Sequence, residues 1–197
     1  SLPSAVRINE VLDEQIVLTS PEHADEKVPD GSVDFENVSF KYRTDAREYA
    51  LSGVNLHIKA GQSIGILGGT GSSKTTLVQL IPRLYDATEG VVRVGGKDVR
   101  EYSLKALRDA VAIVLQKNVL FSGTIRENLL WGNPDADDSA LLDACRAACA
   151  DEFLERMPDG LDTDLGQGAA NLSGGQKQRL CIARALLEHP KILNLDD

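Results

Sequence analysis

The chain has 197 residues, 42% of them hydrophobic, enough to bury one substantial core and a small additional unit. The 30 Asp and Glu against 21 Lys and Arg give a net charge of −9, which excludes a broad electrostatic surface for DNA or RNA but leaves room for a local anion site. No apolar run approaches the roughly 18 residues of a membrane span, no basic-then-apolar leader opens the chain, and three cysteines point to a reducing compartment.

In chain order, Val6, Ile8, Val11 and Leu12 recur at near-helical spacing within Ser4–Glu14, and a charged stretch with two prolines follows from Pro21 to Gly31. This predicts a helix and a linker. From Val33 the pattern changes, with Val38, Phe40 and Tyr42 alternating with polar residues as in a half-buried strand. Further strands are expected at Val54–Ile58, Ser63–Leu67, Val91–Val94, Val111–Leu115 and Ile192–Leu195. Between Gly123 and Ala150 the pattern is mainly helical, opened by Thr124-Ile125-Arg126-Glu127, a capping box. Cys145 and Cys149 lie on this stretch at helical spacing without further ligands, so they and Cys181 are expected as buried free thiols rather than a metal pair. Short apolar strands with helices between them predict a largely parallel sheet in an α/β core, with a helical insertion and a ligand site beyond the strand carboxyl ends.

Two stretches carry phosphate chemistry. After Ser63–Leu67 comes Gly68-Gly69-Thr70-Gly71-Ser72-Ser73-Lys74-Thr75-Thr76, followed by an apolar helix through Leu77, Leu80 and Ile81. In a phosphate-binding loop backbone N–H groups enclose the phosphates, a lysine reaches the β and γ groups and a Ser or Thr hydroxyl binds Mg²⁺. Lys74 and Thr75 fit those two roles. The glycine that ordinarily precedes the lysine is replaced by Ser73, which is costly wherever the loop needs an unusual dihedral there, although its hydroxyl can also donate. The second stretch, Asn171-Leu172-Ser173-Gly174-Gly175-Gln176-Lys177-Gln178-Arg179, puts a serine, two glycines and a glutamine at a helix start, where unpaired N–H groups face an anion. The helix is expected to run to His189 and stop at Pro190. Finally, Ile192-Leu193-Asn194-Leu195-Asp196-Asp197 reads as a buried strand delivering two carboxylates to one sheet edge.

The Asn171–Arg179 stretch resembles the signature motif of ATP-binding cassette (ABC) proteins, and the other motifs agree with it in order. The resemblance implies the P-loop NTPase core of that family: a mostly parallel sheet, an antiparallel β-subdomain and an inserted helical subdomain at about 118–175. Residues 1–30 would be a linker from a transmembrane domain and 31–197 a C-terminally truncated nucleotide-binding domain. ATP and Mg²⁺ are the implied cofactors. Gly69, Thr70, Gly71, Ser72, Ser73, Lys74, Thr75 and Thr76 would hold ATP. Tyr42, which is otherwise a strand aromatic, would stack on adenine. Ser173, Gly174, Gly175 and Gln176 would close the site of a partner domain. Gln116, otherwise an exposed loop residue, would contact Mg²⁺ or the attacking water, and Thr75 and Asp196 would hold the metal. Asp197 stands where the family has a glutamate that polarises water. Its side chain is about 1.5 Å shorter, and misplacement of about 1 Å costs on the order of 10²-fold in rate, or about 2.7 kcal/mol.

Val119–Leu129 looks like the exporter branch, which implies ATP hydrolysis at the cytoplasmic face of a membrane, most simply a bacterial cell membrane. The implied partners are the transmembrane domain of the same polypeptide and a second nucleotide-binding domain, with no nucleic acid. Asp197 beside an intact signature resembles the degenerate half of a heterodimeric exporter. The family's switch histidine is expected beyond Asp197, since none of His23, His57 or His189 matches it, which makes the piece catalytically incomplete. Gln167, in Gly166-Gln167-Gly168-Ala169-Ala170, replaces the family's glutamate and bears on coupling to the membrane domain. A regulatory module with little turnover, or a soluble ABC ATPase unconnected with transport, remain the alternatives.

Overall fold

The computed structural model describes residues 18–69, 71, 73–115, 117 and 119–196. The expected helix at Ser4–Glu14 and the site residues Thr70, Ser72, Gln116 and Asp197 lie outside them.

The first sheet is antiparallel and is built around β1 (Val33–Phe40), flanked by β2 (Leu51–Ile58) and β3 (Glu89–Val94), with a short β4 (Lys97–Asp98) beyond β3. Strand β1 buries Val33 and Phe35, then Val38 and Phe40, so its inward parity slips by one residue at Glu36–Asn37. A slip of one would turn every later side chain to the wrong face unless a bulge absorbed it. Asn37 takes the left-handed conformation that asparagine tolerates (φ 48°), and the register against both neighbours shifts there. Gly90 lies against the bulge, where a Cβ would stand 2.3 Å from the Asn37 carbonyl oxygen, so only glycine fits. The inward residues pack on Leu80 and Ile81 at the end of α1 (Lys74–Leu80), and on Tyr102, Leu107 and Val111.

The second unit is helical. Helix α2 (Leu104–Asp109) leads into β5 (Val111–Val114), followed by α3 (Ile125–Leu130), α4 (Asp138–Ala147), the single turn α5 (Asp151–Leu154) and α6 (Gly174–Leu186). The Thr124 capping box forms as the sequence predicts: the Thr124 hydroxyl accepts from Glu127 N–H, and the Glu127 carboxylate from Thr124 N–H. Strand β5 pairs in parallel with β6 (Ile192–Leu195) and joins the two cores by its period of two. Ala112 and Val114 face the helical core, while Val111 and Ile113 face the antiparallel sheet and α1.

Four expectations are corrected. Ser63–Leu67 forms no strand: Ile64 and Ile66 are about 40% exposed (40% and 39%) and Leu67 is 96% exposed. Their alternation suits a strand, but a strand exists only where a neighbouring ladder satisfies its backbone, and β6 pairs with β5 alone. The parallel part of the structure is accordingly only the β5–β6 pair among the described residues. Helix α6 ends at Leu186 rather than His189, because the residue before a proline is steered away from the helical region, and His189 turns to φ 52°. Of the cysteines, Cys145 and Cys181 are buried, with burial pushing the Cys145 thiol up to about 11, whereas Cys149 lies beyond the end of α4 and is exposed. No helix among the described residues is long and apolar enough to cross a membrane.

Candidate functional site

The loop that feeds α1 is open. Around Gly69 and Gly71 an added Cβ would meet no atom within 4 Å, and Gly71 holds φ 81°. Ser73, at the start of α1, sits at φ 65° and ψ 19° with no side-chain cap, so the dihedral that glycine would supply freely is imposed on a serine. The Lys74 ammonium donates to the Gly68 carbonyl at 2.6 Å, folding the loop over its own lysine. The next two hydroxyls differ in setting: Thr75 is exposed, Thr76 only 5% exposed.

Tyr42 lies beyond the end of β1, and its hydroxyl shares a 2.6 Å hydrogen bond with that of Thr76. Edge-on contacts to Phe40 and Tyr85, at 4.8 and 5.3 Å between ring centroids, fix its plane and leave the residue 48% exposed. An exposed, oriented aromatic ring therefore stands beside the phosphate loop, joined to it by residues far apart in sequence.

At the other unit, Ser173 and Gln176 cap α6 reciprocally. The Ser173 hydroxyl accepts from Gln176 N–H at 3.2 Å, and the Gln176 side-chain oxygen accepts from Ser173 N–H at 2.9 Å. Buried Leu172 anchors the turn, while Ser173, Gly174 and Gly175 are exposed, with nothing within 4 Å of a Cβ added at either glycine. Among the described residues no hydrogen bond or ion pair joins this turn to the phosphate loop, so the structure brings Tyr42 and Thr76 together, folds Lys74 onto its own loop, and leaves Ser173, Gly174 and Gly175 exposed elsewhere.

Asp196 follows β6, half-buried, its N–H donating to the Val114 carbonyl at 2.8 Å. Two residues escaped the sequence reading. Arg184 on α6 donates to the Val119 carbonyl at 2.9 Å, tying the helix to the segment that follows Gln116. Asn194, inside β6, has a buried side-chain nitrogen that meets no acceptor among the described residues. Its signal was visible as the one amide in an aliphatic strand. Arg184 had none, because the bond spans distant segments.

The ABC transporter family profile matches residues 51–197. The chain is 46% identical over 167 residues to a putative multidrug export ATP-binding/permease protein, YgaD of Bacillus subtilis, covering 85% of this chain and 29% of the relative. It is 47% identical over 168 residues to an ATP-dependent lipid A-core flippase of Chromohalobacter salexigens, again over 85% of this chain and 29% of the other. The solved structure of a bacterial Atm1-family ABC exporter with ATP bound superposes with a TM-score of 0.80 at 34% identity, over 98% of this chain and 34% of that one. The chain thus spans about a third or less of these proteins.

Proposed function

Because the chain belongs to the ABC transporter family, we propose that it is the nucleotide-binding domain of an exporter, residues 31–197, tied by residues 1–30 to a transmembrane domain of the same polypeptide. It binds ATP with Mg²⁺ at the cytoplasmic face of a membrane and hydrolyses it, and dimerisation with a second such domain drives the attached membrane segments. One relative is a putative multidrug export ATP-binding/permease protein and the other an ATP-dependent lipid A-core flippase, which supports this reading over a soluble ATPase unconnected with transport.

The observation that carries the proposal is the Tyr42–Thr76 bond, which sets an exposed aromatic face beside an open phosphate loop. Adenine stacks on Tyr42 while the triphosphate lies in the loop of Gly69, Thr70, Gly71, Ser72 and Ser73, so one nucleotide spans both. Lys74 exchanges a neutral carbonyl acceptor for anionic phosphate oxygens, which is favourable because attraction between opposite charges is added to a bond whose donor was already charged. The turn Ser173 to Gln176 meets the nucleotide of the partner domain, with Gly174 and Gly175 presenting their backbone N–H groups while the N–H groups of Ser173 and Gln176 hold the cap.

The donors Thr75, Asp196 and Gln116 form a set of hydroxyl, carboxylate and amide oxygens, the hard ligands magnesium takes, and they would hold it. Bound magnesium neutralises charge on the phosphate oxygens. Asp197 accepts a proton from, or polarises, the attacking water, from a side chain one bond shorter than glutamate. A regulatory reading with little turnover rests on Ser73 and Asp197 alone.

The test is ATP turnover of the full-length protein, assembled with its second nucleotide-binding domain, with Asp197 native and with Asp197→Glu. A rise of about tenfold or more puts Asp197 at the water-activating position of a slow site. Unchanged turnover assigns the slow step elsewhere, and no turnover in either form favours the regulatory reading.

A further inference from the structure

Strand β6 is aliphatic except at Asn194, and an amide is kept inside an aliphatic strand at the full desolvation cost of its unmet donors. The period of two puts Ile192, Asn194 and Asp196 on one face of this strand. Ile192, like Ile113 and Leu77, packs against the core that holds the antiparallel sheet and Leu80 of α1, so this face looks towards that core, while Leu193 packs against the helical core on the opposite face. Register agrees, since Asn194 pairs across the ladder with Ile113. The Asn194 amide therefore lies between that apolar contact and the Asp196 carboxylate. Neighbours on one face of a strand are about 6.6 Å apart at Cα, and since no direct bond joins the amide to the carboxylate, the gap is one that a single bridging water spans.

We propose that Asn194 is a positioning residue: its side-chain N–H donates through one bridging water to the Asp196 carboxylate and holds that carboxylate in the orientation that binds magnesium. The proposal rests on the reading of Asp196 given above. Aspartate has two rotatable bonds and Asp196 ends its strand, so without a second anchor the carboxylate would lose freedom on meeting the metal. An amide donor fixes it beforehand and, being neutral, does not compete with the cation for its charge. A leucine at this position would satisfy the strand and do neither.

The experiment measures ATP affinity of the full-length protein in Mg²⁺ and in EDTA, and takes the ratio. Asn194→Leu keeps the volume and removes the donor. We expect it to lower the Mg²⁺-dependent gain by about tenfold, the worth of one hydrogen bond to a charged group, and to leave affinity in EDTA unchanged. Its melting temperature without nucleotide should change little, since the cost of burying the amide and the worth of its water-bridged bond are removed together. Asn194→Ser cannot clash, and its hydroxyl stops short of the amide's reach, so it should lose the gain as well. Asp196→Asn separates the two claims. If it removes the Mg²⁺ gain and the Asn194 variants, folded as the parent, keep theirs, the positioning role is overturned while the metal reading stands. If Asp196→Asn itself leaves the gain intact, the metal reading fails and the proposal with it.

Discussion

Replacing Ser73 with glycine separates two costs that coincide in the sequence. An L-residue in the left-handed region costs about 1–2 kcal/mol, and Ser73 holds φ 65° there with no side-chain cap to offset it. Glycine removes that strain but loses about 0.5–1 kcal/mol through the greater freedom of the unfolded chain. The net gain is about 0.5–1 kcal/mol, or roughly 1–4 °C in the melting temperature of a domain this size. The strain is already present while Lys74 is bonded to the Gly68 carbonyl, before phosphate takes the lysine, so it belongs to folding and not to binding. Ser73→Gly should accordingly raise the thermal midpoint without nucleotide and change ATP affinity by no more than about twofold. Differential scanning fluorimetry and a nucleotide titration read the two quantities. An unchanged midpoint with affinity raised about tenfold would refute the reasoning, because the strain would then arise when ATP binds.

Tyr42 divides in the same way. Tyr42→Phe keeps the ring and leaves the buried Thr76 hydroxyl without its partner, and should cost about 1 kcal/mol of stability by denaturant melt with ATP affinity nearly unchanged. Tyr42→Ala removes the stacking face as well and should weaken ATP binding about 10- to 100-fold by isothermal titration. Arg126 holds the Asp162 carboxyl below its ordinary 3.8, joining α3 to the 3₁₀ turn Gly160–Asp162. A carboxylate whose folded value is depressed contributes its stability above the unfolded pKa and loses it as pH falls through the folded one. The midpoint deficit of Asp162→Asn should therefore be present at pH 7 and shrink below about pH 4, as pH-dependent melts would show. The effect is small, because both carboxylates that meet Arg126 are mostly exposed.

Local patterns were the legible part of this chain. The capping box at Thr124 needs only residues three apart and formed as read, and the helix start at Ser173 is where the sequence put it; the steric argument that a residue before lysine would meet an unusual dihedral is matched by Ser73. What depended on a distant partner was less visible. The existence of β1 follows from its alternation, but the slip at Asn37 depends on Gly90 in another strand. Ser63–Leu67 has a strand's pattern and no ladder to join, which no reading of its own side chains reveals. Tyr42 and Thr76 each have a motif role, yet the bond that seats the ring beside the loop lies between segments the sequence does not connect. Asn194 was visible as a polar residue in an apolar run, and only its burial without an acceptor gave it meaning.

The central claim is that the loop from Gly68 to Thr76 holds the phosphates of ATP through Lys74. Its most direct test is equilibrium binding of ATP, in Mg²⁺, to the full-length protein with Lys74 native and with Lys74→Ala, each checked for an unchanged melt without nucleotide. The account predicts saturable binding by the native protein and a loss of about tenfold or more in the variant, since a charge-assisted contact to phosphate is removed. Equal affinity in the two folded proteins would contradict it.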